Sequence, residues 1–281
     1  MYPSNMMLNP LNKRHLEKVS SIDASLVTLN LEDAIAKSRK KEALLNIASF
    51  LEKNLPINSK IIVRVNPLNE GGKEEIEFLN QFNFKAIRVP KVKSKEEIDQ
   101  ALKLIKKELE LHISLETKEA FYNIKDWKID DRFTMANLGI LDLLYSFSLF
   151  QKMLDINNPT IEYILSKFLL DCQSVDILPV SFMYQDYNNL EEFEAWCKKE
   201  KMMGFESKAC MGPKQVEIAN RIFGISADDI KEALEIKKAF EEHSKRGING
   251  FLHPIYGFID EPVYRDALLV LKKAGINLNQ A

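Results

Sequence analysis

The sequence has few of the features that mark secreted, membrane-spanning or nucleic-acid-binding proteins. Its three cysteines, Cys172, Cys197 and Cys210, are odd in number and have no CxxC spacing, which is typical of a reducing compartment. No apolar run approaches the roughly 20 residues that cross a bilayer. The first residues lack the charged and apolar regions of a signal peptide. We therefore expect a soluble cytoplasmic protein that does not bind membranes.

An excess of one charge and the common catalytic motifs are also missing. The formal net charge is −2 at pH 7, and acidic and basic residues are interspersed, so no basic face for nucleic acid is predicted. The GxGxxG, P-loop, GxSxG and HExxH patterns are absent, and the four histidines are dispersed. The function must therefore be sought in side chains that the fold brings together.

Strand-like runs alternate with amphipathic helices along most of the chain. The predicted strands are Met6–Leu8, Leu26–Leu31, Ile61–Asn66, Ala86–Pro90, Leu111–Glu116, Thr134–Gly139, Val175–Phe182 and Ser207–Gly212. Between them apolar residues recur at helical spacing, as Ile98, Leu102 and Ile105 do. A chain of 281 residues with eight such units predicts a (β/α)8 TIM barrel, which typically has about 250 residues.

The pattern changes after Gly212, where strands give way to helices. The predicted elements are helices over Pro213–Phe223, from Ser226 to near Gly247 and from Pro262 to Gly275, with a loop over Ile248–Asp260. We predict a barrel domain over residues 1–223 and a C-terminal helical extension over residues 224–281. Because a barrel needs only one closing helix, we expect the extension to pack on a neighbouring subunit or over the barrel mouth.

Charged residues follow several predicted strands, at the end of the barrel where enzymes of this architecture hold their active sites. In chain order, the polar residues there are Glu32, Asp33, Arg64, Asn66, Lys91, Glu116, Asp142 and Lys208. Two carboxylates on adjacent strands suit Mg²⁺, which takes its other ligands from water or substrate. A nearby arginine can grip a substrate carboxylate through two hydrogen bonds. The alternative is that these charges only neutralise one another inside the barrel, and the residue pattern leaves both interpretations open.

Eight short segments follow one another along the chain: Leu29-Asn-Leu-Glu-Asp-Ala34, Val63-Arg-Val-Asn-Pro67, Val89-Pro-Lys-Val92, Leu115-Glu-Thr117, Leu138-Gly-Ile-Leu-Asp142, Gly204-Phe-Glu-Ser-Lys208, Gly212-Pro-Lys-Gln215 and Phe258-Ile-Asp-Glu-Pro262. Together and in this order they resemble the citrate lyase beta-subunit-like proteins of the HpcH/HpaI aldolase superfamily. The resemblance implies a TIM barrel with a C-terminal helical extension, assembled as a homotrimer or hexamer. It also implies magnesium-dependent cleavage or formation of a carbon–carbon bond in acyl-CoA or acyl-carrier-protein hydroxy acids.

The same resemblance implies roles for individual residues. Glu116 and Asp142 match the magnesium ligands. Arg64 matches the clamp on the carboxylate of the 2-oxo acid product. Glu32 and Asp33 match the acidic pair that supports the metal-bound water and the arginine, and we group them with the catalytic residues.

Further positions are expected to contact substrate. With Arg64, these are Asn66, Lys91 and Gly139. Asp260 matches an aspartate that, in similar proteins, reaches the active site of the adjacent subunit and handles the proton on the acetyl carbon. The implied partners are a small oxo or hydroxy acid, with or without a CoA thioester, and further copies of the chain.

The chain departs from the family pattern where the rest of the substrate would bind. The departures are the arginine-free segment Pro3–Pro10, Asn30 in place of an aspartate, Met211-Gly-Pro213 without a histidine, the bulky Ile140 and Leu141 before Asp142, and Tyr256 in a shortened loop. Three hypotheses follow. The chain is a lyase on a carboxylate-bearing substrate such as a CoA thioester, an aldolase on a non-thioester oxo acid, or a catalytically silent homologue that binds a ligand or supports assembly.

Overall fold

The computed structural model describes residues 1–53 and 56–278, and these form two compact units. The first unit covers Tyr2–Phe223, and the second begins at Gly224. Within the described residues, no helix has both the length and the apolar composition needed to cross a membrane. How the extension packs on a neighbouring subunit stays a prediction.

The first unit contains an eight-stranded parallel sheet. Its strands are β1 Ser4–Leu8, β2 Leu26–Asn30, β3 Lys60–Arg64, β4 Ala86–Val89, β5 Glu110–Leu115, β6 Phe133–Leu138, β7 Leu178–Val180 and β8 Lys208–Cys210. Neighbours along the chain pair in order from β1 to β7, and β8 pairs with β1. A parallel bridge between Ser181 and Lys208 joins the two sheet edges. The sequence prediction of a (β/α)8 barrel is therefore confirmed.

Helices follow the strands as the apolar spacing predicts. In this unit they are α1 Lys13–Glu17, α2 Lys40–Glu52, α3 Lys73–Leu79, α4 Lys95–Leu104, α5 Lys118–Asn123, α6 Ile140–Ser146, α7 Pro159–Gln173, α8 Leu190–Met203 and α9 Pro213–Phe223. The start of α4 shows the local cause, because the Ser94 side chain accepts a hydrogen bond from the Glu97 amide. Ile98 and Leu102 of the same helix are buried in the main core.

The barrel strands also bury a small apolar cluster and a polar network. The buried members of the cluster are Leu26, Ile62, Ala86, Met135, Val180 and Ala209. In the polar network, Thr28 donates to Asn5, and Asn5 donates to Asn137 at 3.0 Å. All three side chains are buried, so their hydrogen bonds offset the cost of removing them from water.

The second unit contains helices α10 Ala227–Ser244 and α11 Glu261–Lys273 and a two-stranded antiparallel sheet. The strands are β9 Gly250–His253 and β10 Gly257–Asp260, so the predicted loop over Ile248–Asp260 is wrong. Ile259 of β10 is fully buried with Phe240 and Leu271, which gives the hairpin an apolar anchor. Gly257 adopts φ 70 beside the turn, a conformation that glycine allows. The glycine and proline content of this segment hid two four-residue strands.

Candidate functional site

A cleft of about 1040 Å³ opens at the C-terminal ends of the barrel strands. Its lining combines polar and apolar side chains. The polar ones include Asn30, Asp33, Arg64 and Asp142, which follow or end strands β2, β3 and β6. The lining also includes Met7, Met183, Met211 and Gly212, near strands β1, β7 and β8. Side chains from distant parts of the sequence therefore share one opening, as the sequence predicts for a barrel.

Arg64 ends β3 and is held by two neighbours from the end of β2. Its Nε donates to Asn30 Oδ1 at 2.7 Å, and its Nη2 lies 2.7 Å from Glu32 Oε2. Nη1 makes no hydrogen bond to any residue in 1–53 or 56–278. Because Arg64 lines the cleft, this part of the planar guanidinium is left to bind an anion there.

Glu32 is neutralised by two cations. It is 1% exposed, with Oε2 on Arg64 and Oε1 at 2.8 Å from Lys91 Nζ. Lys91 also reaches Asp33 at 3.1 Å, and the Asp33 amide donates to Glu32 at 2.8 Å. Burial works against the charge on Lys91, but its bonds to Glu32 and Asp33 raise the pKa of Lys91 above the ordinary value. Of the two interpretations of these charges, mutual neutralisation applies to Glu32. Its ion pairs hold Arg64 and Lys91 in place.

Glu116 follows β5 and has a different environment. It is 4% exposed, its Oε1 accepts a hydrogen bond from the Lys91 amide at 2.8 Å, and no side-chain cation of the described residues forms an ion pair with it. Burial raises the pKa of Glu116 to about 7, although Arg64 and Arg88 act against the rise. The buried carboxylate therefore lacks a compensating cation.

The backbone around Glu116 is arranged to hold this side chain. Lys91 has φ 54, in the left-handed region that non-glycine residues seldom occupy, and its amide points at Glu116. Gly139, at the end of β6, leaves the space that the carboxylate fills. A Cβ at residue 139 would lie 2.6 Å from Glu116 Oε2 and 2.7 Å from its Cβ. Gly139 therefore makes room for Glu116, which is a different contribution from the substrate contact that we predicted.

Asp142 lies in the first turn of α6 and on the wall of the cleft. It forms no ion pair with any described residue, and burial followed by the nearby Asp33 raises its pKa. The bulky Ile140 before it is buried in the main core, and Leu141 packs against that core. These two departures from the family pattern therefore leave Asp142 accessible from the cleft.

The residues present fit a magnesium ion better than a zinc ion. Among the described residues, no three or more His, Cys, Asp or Glu side chains are grouped so that they could hold a metal. Glu116 and Asp142 are near enough for the charge of one to raise the pKa of the other. Two carboxylates with open positions suit Mg²⁺, whereas zinc sites usually need three or four nitrogen or sulfur ligands. A divalent cation would also supply the positive charge that buried Glu116 lacks.

Asn66 is not brought to the cleft. Strand β3 ends at Arg64, so the alternation that predicted Asn66 beside Arg64 is interrupted there. The Asn66 side chain is fully buried, donates to Glu75 Oε1 at 2.5 Å and accepts from Lys40. These bonds tie the end of β3 to helices α2 and α3, and they leave no free group for substrate.

The residues that line the cleft do not include Glu32, Lys91, Glu116, Gly139 or Lys208, and Asp260 belongs to the second unit. Asp260 is the N-terminal cap of α11, where its Oδ1 accepts from the Val263 amide at 3.3 Å. Its action in a neighbouring subunit stays a prediction. Lys208 is fully buried, forms an ion pair with Glu200 at 2.7 Å and lies 3.7 Å from the centre of the Phe182 ring. Its charge stabilises the packing of β8 against α8.

Arg88 was missed in the sequence. It lies opposite Arg64 in the register of β3 and β4, is 5% exposed, and donates to Ser114 at 2.9 Å. Burial, with the neighbouring charge of Arg64, lowers the pKa of Arg88 to about 9. The sequence did hold a signal for Arg88. It lies two residues after Ala86 in the same strand, and residues two apart share one face of a strand. Arg88 adds positive charge beneath Glu116.

Comparisons with known proteins identify the family. The HpcH/HpaI aldolase/citrate lyase model matches residues 4–213. A (3S)-malyl-CoA thioesterase from Cereibacter sphaeroides is 28% identical over 236 residues, which are 84% of this chain and 81% of that protein. Among solved structures, a citrate lyase from Burkholderia xenovorans LB400 has a TM-score of 0.85 at 13% identity, covering 99% of this chain and 94% of the other.

A second structural neighbour was solved with ligands. It is the protein CitE from Mycobacterium tuberculosis in complex with magnesium, acetoacetate and coenzyme A. Its TM-score is 0.75 at 17% identity, with 98% of each chain covered. At such identities the two solved structures show the fold alone, whereas the family model covers most of the chain. The protein belongs to the HpcH/HpaI aldolase/citrate lyase family.

Proposed function

We propose that the protein is a magnesium-dependent carbon–carbon lyase or aldolase that acts on a carboxylate-bearing hydroxy acid, free or as an acyl-CoA thioester. One observation carries the proposal. Glu116 and Asp142, without ion-pair partners among the described residues, lie beside Arg64, whose Nη1 is unused. A metal ion on the carboxylates and a substrate carboxylate on the arginine would complete both halves of the site.

Each charged residue has a defined part in this proposal. Glu116 and Asp142 hold Mg²⁺, which when bound stabilises negative charge on the substrate oxygen next to the reacting bond. Arg64 binds the carboxylate of the oxo-acid half and so orients the bond to be broken. Glu32 holds Arg64 and Lys91 in position, and Lys91 in turn holds Glu116 through its backbone amide.

Cleavage converts the substrate hydroxyl into the carbonyl of the oxo acid and releases the hydroxyl proton. The other half of the substrate leaves as a carbanion equivalent that must receive a proton, so the net reaction moves one proton from oxygen to carbon. As a thioester, this half can delocalise the charge as an enolate, which is one reason to consider a CoA substrate. We assign the proton transfer to Asp260 of a second subunit. That assignment rests on the family resemblance and implies a homotrimer or hexamer.

The first experiment measures binding. Pyruvate, glyoxylate and oxaloacetate should raise the melting temperature of the protein in the presence of Mg²⁺ and not in its absence. Protection that is equal with and without the metal contradicts the proposed site.

The second experiment separates the possible reactions. Carbon–carbon cleavage of malyl-CoA yields glyoxylate and acetyl-CoA, whereas thioester hydrolysis yields malate and a free CoA thiol. Glyoxylate without free thiol supports the lyase. Free thiol without glyoxylate favours the hydrolysis named for the Cereibacter relative. Magnesium-dependent binding without turnover of CoA or free-acid substrates favours the silent homologue, for which the changed segments Pro3–Pro10 and Met211-Gly-Pro213 are the motivating feature.

A further inference from the structure

Asn30 is held in one orientation at the end of β2. It is 1% exposed and lines the cleft. Its Oδ1 accepts two hydrogen bonds, from Arg64 Nε at 2.7 Å and from the Glu32 amide at 3.1 Å. Rotating the amide by a half turn would place an NH₂ group against these two donors. The assignment of oxygen and nitrogen is therefore settled by the neighbours.

The amide nitrogen of Asn30 has no acceptor. Its Nδ2 is buried and has no hydrogen-bond partner within residues 1–53 and 56–278. An unsatisfied buried donor destabilises a fold, so such groups usually have a partner in the working molecule. Asn5, another buried amide of the barrel interior, differs in this respect. It donates to Asn137 and accepts from Thr28.

Asn30 also determines how much positive charge remains on Arg64. An aspartate has the same shape and could accept the same two hydrogen bonds, but it would add a full negative charge beside the guanidinium. With asparagine, the single carboxylate paired with Arg64 among the described residues is Glu32, which Lys91 shares. The guanidinium therefore keeps charge that an incoming anion can use.

We propose that Asn30 contacts the substrate, donating from Nδ2 to the carboxylate that Arg64 binds. The two residues then form one anion site, to which Arg64 contributes its unused Nη1 and Asn30 its unpaired Nδ2. This inference rests on the proposed function and adds a residue to it. Asn30 occupies a position where the family pattern has an aspartate, so the contact would distinguish this chain from proteins that follow the pattern.

The test compares two asparagine-to-aspartate changes in the same cleft. Asn30→Asp keeps both accepted hydrogen bonds and removes the Nδ2 donor. The matched control is Asn9→Asp, because Asn9 is exposed, lines the cleft and accepts from the Leu11 amide at 2.9 Å, which an aspartate can also do. Calorimetry measures Mg²⁺ binding to each protein, and then pyruvate binding at saturating Mg²⁺.

We expect Asn30→Asp to weaken pyruvate binding at least about tenfold, which corresponds to roughly 1.4 kcal/mol. Its Mg²⁺ affinity should be unchanged or tighter, since the added charge attracts the cation. Asn9→Asp should change pyruvate binding less than about threefold, because an exposed charge is screened by solvent. Asn30→Ser, which lacks the amide donor and adds no charge, should also weaken pyruvate binding and serves if Asn30→Asp does not fold.

Three results would overturn the inference. Wild-type pyruvate affinity in Asn30→Asp or in Asn30→Ser shows that Nδ2 makes no contact. An equal loss in Asn30→Asp and Asn9→Asp shows a general charge effect. Absence of magnesium-dependent pyruvate binding in the wild type contradicts the proposed function itself, and the role of Asn30 is withdrawn with it.

Discussion

The two ends of the barrel use the same kinds of residue in opposite ways. At the N-terminal end, Glu110 of β5 pairs with Lys85 and accepts from Thr134 at 2.7 Å. Burial opposes its charge, but its contacts with His112, Lys85 and Thr134 lower the pKa of Glu110 to about 2. At the C-terminal end of the same strand, burial raises the pKa of Glu116 to about 7.

The difference lies in the partner that each carboxylate has. Glu110 is partly exposed and forms an ion pair with Lys85, which favours its charged form. Glu116 is more deeply buried and forms no ion pair with a described residue, because Arg64 pairs with Glu32 and Arg88 donates to Ser114. Its burial therefore outweighs the charges of the two arginines. The proposed magnesium ion would pair with Glu116 directly.

The largest effect is expected from Gly139→Ala. The new Cβ would lie 2.6 Å from Glu116 Oε2 and must displace it, so Mg²⁺ binding should become undetectable by calorimetry. Gly212→Ala is the matched control. Gly212 also lines the cleft, and its new Cβ would meet the Tyr187 ring at 2.7 Å instead of Glu116. It should leave Mg²⁺ affinity unchanged. Equal Mg²⁺ binding in Gly139→Ala and wild type would show that Glu116 is not a ligand.

Arg64→Lys should weaken oxo-acid binding by about 10- to 100-fold while Mg²⁺ binding stays within about twofold. Lysine keeps the charge but loses the planar fork, whose hydrogen bonds to a charged group contribute about 1.5–3 kcal/mol. The measurement is the shift in melting temperature with pyruvate at saturating Mg²⁺. A full shift in the variant contradicts a bidentate clamp.

An Asp260 variant tests whether one chain supplies every residue of the active site at the C-terminal end of the barrel. Once an activity is known, Arg64→Ala and Asp260→Ala subunits should each be nearly inactive alone. If subunits share sites, mixing should restore up to about a quarter of wild-type activity, the fraction of sites that receive both intact residues by random assembly. Each homogeneous variant is its own control for residual activity. No recovery, together with a monomeric mass in solution, contradicts the shared site.

In the absence of metal, replacing the glutamate by glutamine should change the free energy of unfolding in opposite directions at the two ends. Because the folded-state pKa of Glu116 is raised from 4.5 to about 7, its ionisation lowers the unfolding free energy as pH rises through that window. Glu116→Gln should therefore be more stable than wild type at pH 8 by on the order of 2–3 kcal/mol, and nearly equal at pH 4.5. Chemical denaturation at the two pH values measures this.

Glu110→Gln provides the contrast. The pKa of Glu110 is lowered from 4.5 to about 2, so its charge stabilises the fold above pH 4.5 and that contribution is lost as pH falls towards 2. The variant should be less stable at pH 8 by on the order of 1 kcal/mol, after allowance for solvent screening. A loss of about 3–5 kcal/mol in Glu116→Gln, the cost of breaking a buried ion pair, contradicts the comparison.

The sequence predicts the barrel well because strand and helix periodicity are local. It also predicts which strand ends meet, since all parallel strands of a barrel end at one face. It could not show that Asn66 turns towards Glu75, because that depends on where β3 ends. It could not separate Glu110 from Glu116 either. Both carboxylates lie at the ends of β5 near cations, and their burial and their partners in three dimensions decide their charge.

The most direct test of the difference between the two ends is calorimetric titration of Mg²⁺ into wild type, Glu116→Gln and Glu110→Gln at pH 8. A glutamine at 116 can still accept from the Lys91 amide but removes a ligand charge. Loss of an outer-shell partner alone costs about 10- to 100-fold, so the loss at Glu116 should exceed about 100-fold. Glu110→Gln should bind Mg²⁺ as wild type does. Equal binding in all three proteins would contradict a metal site at the C-terminal end.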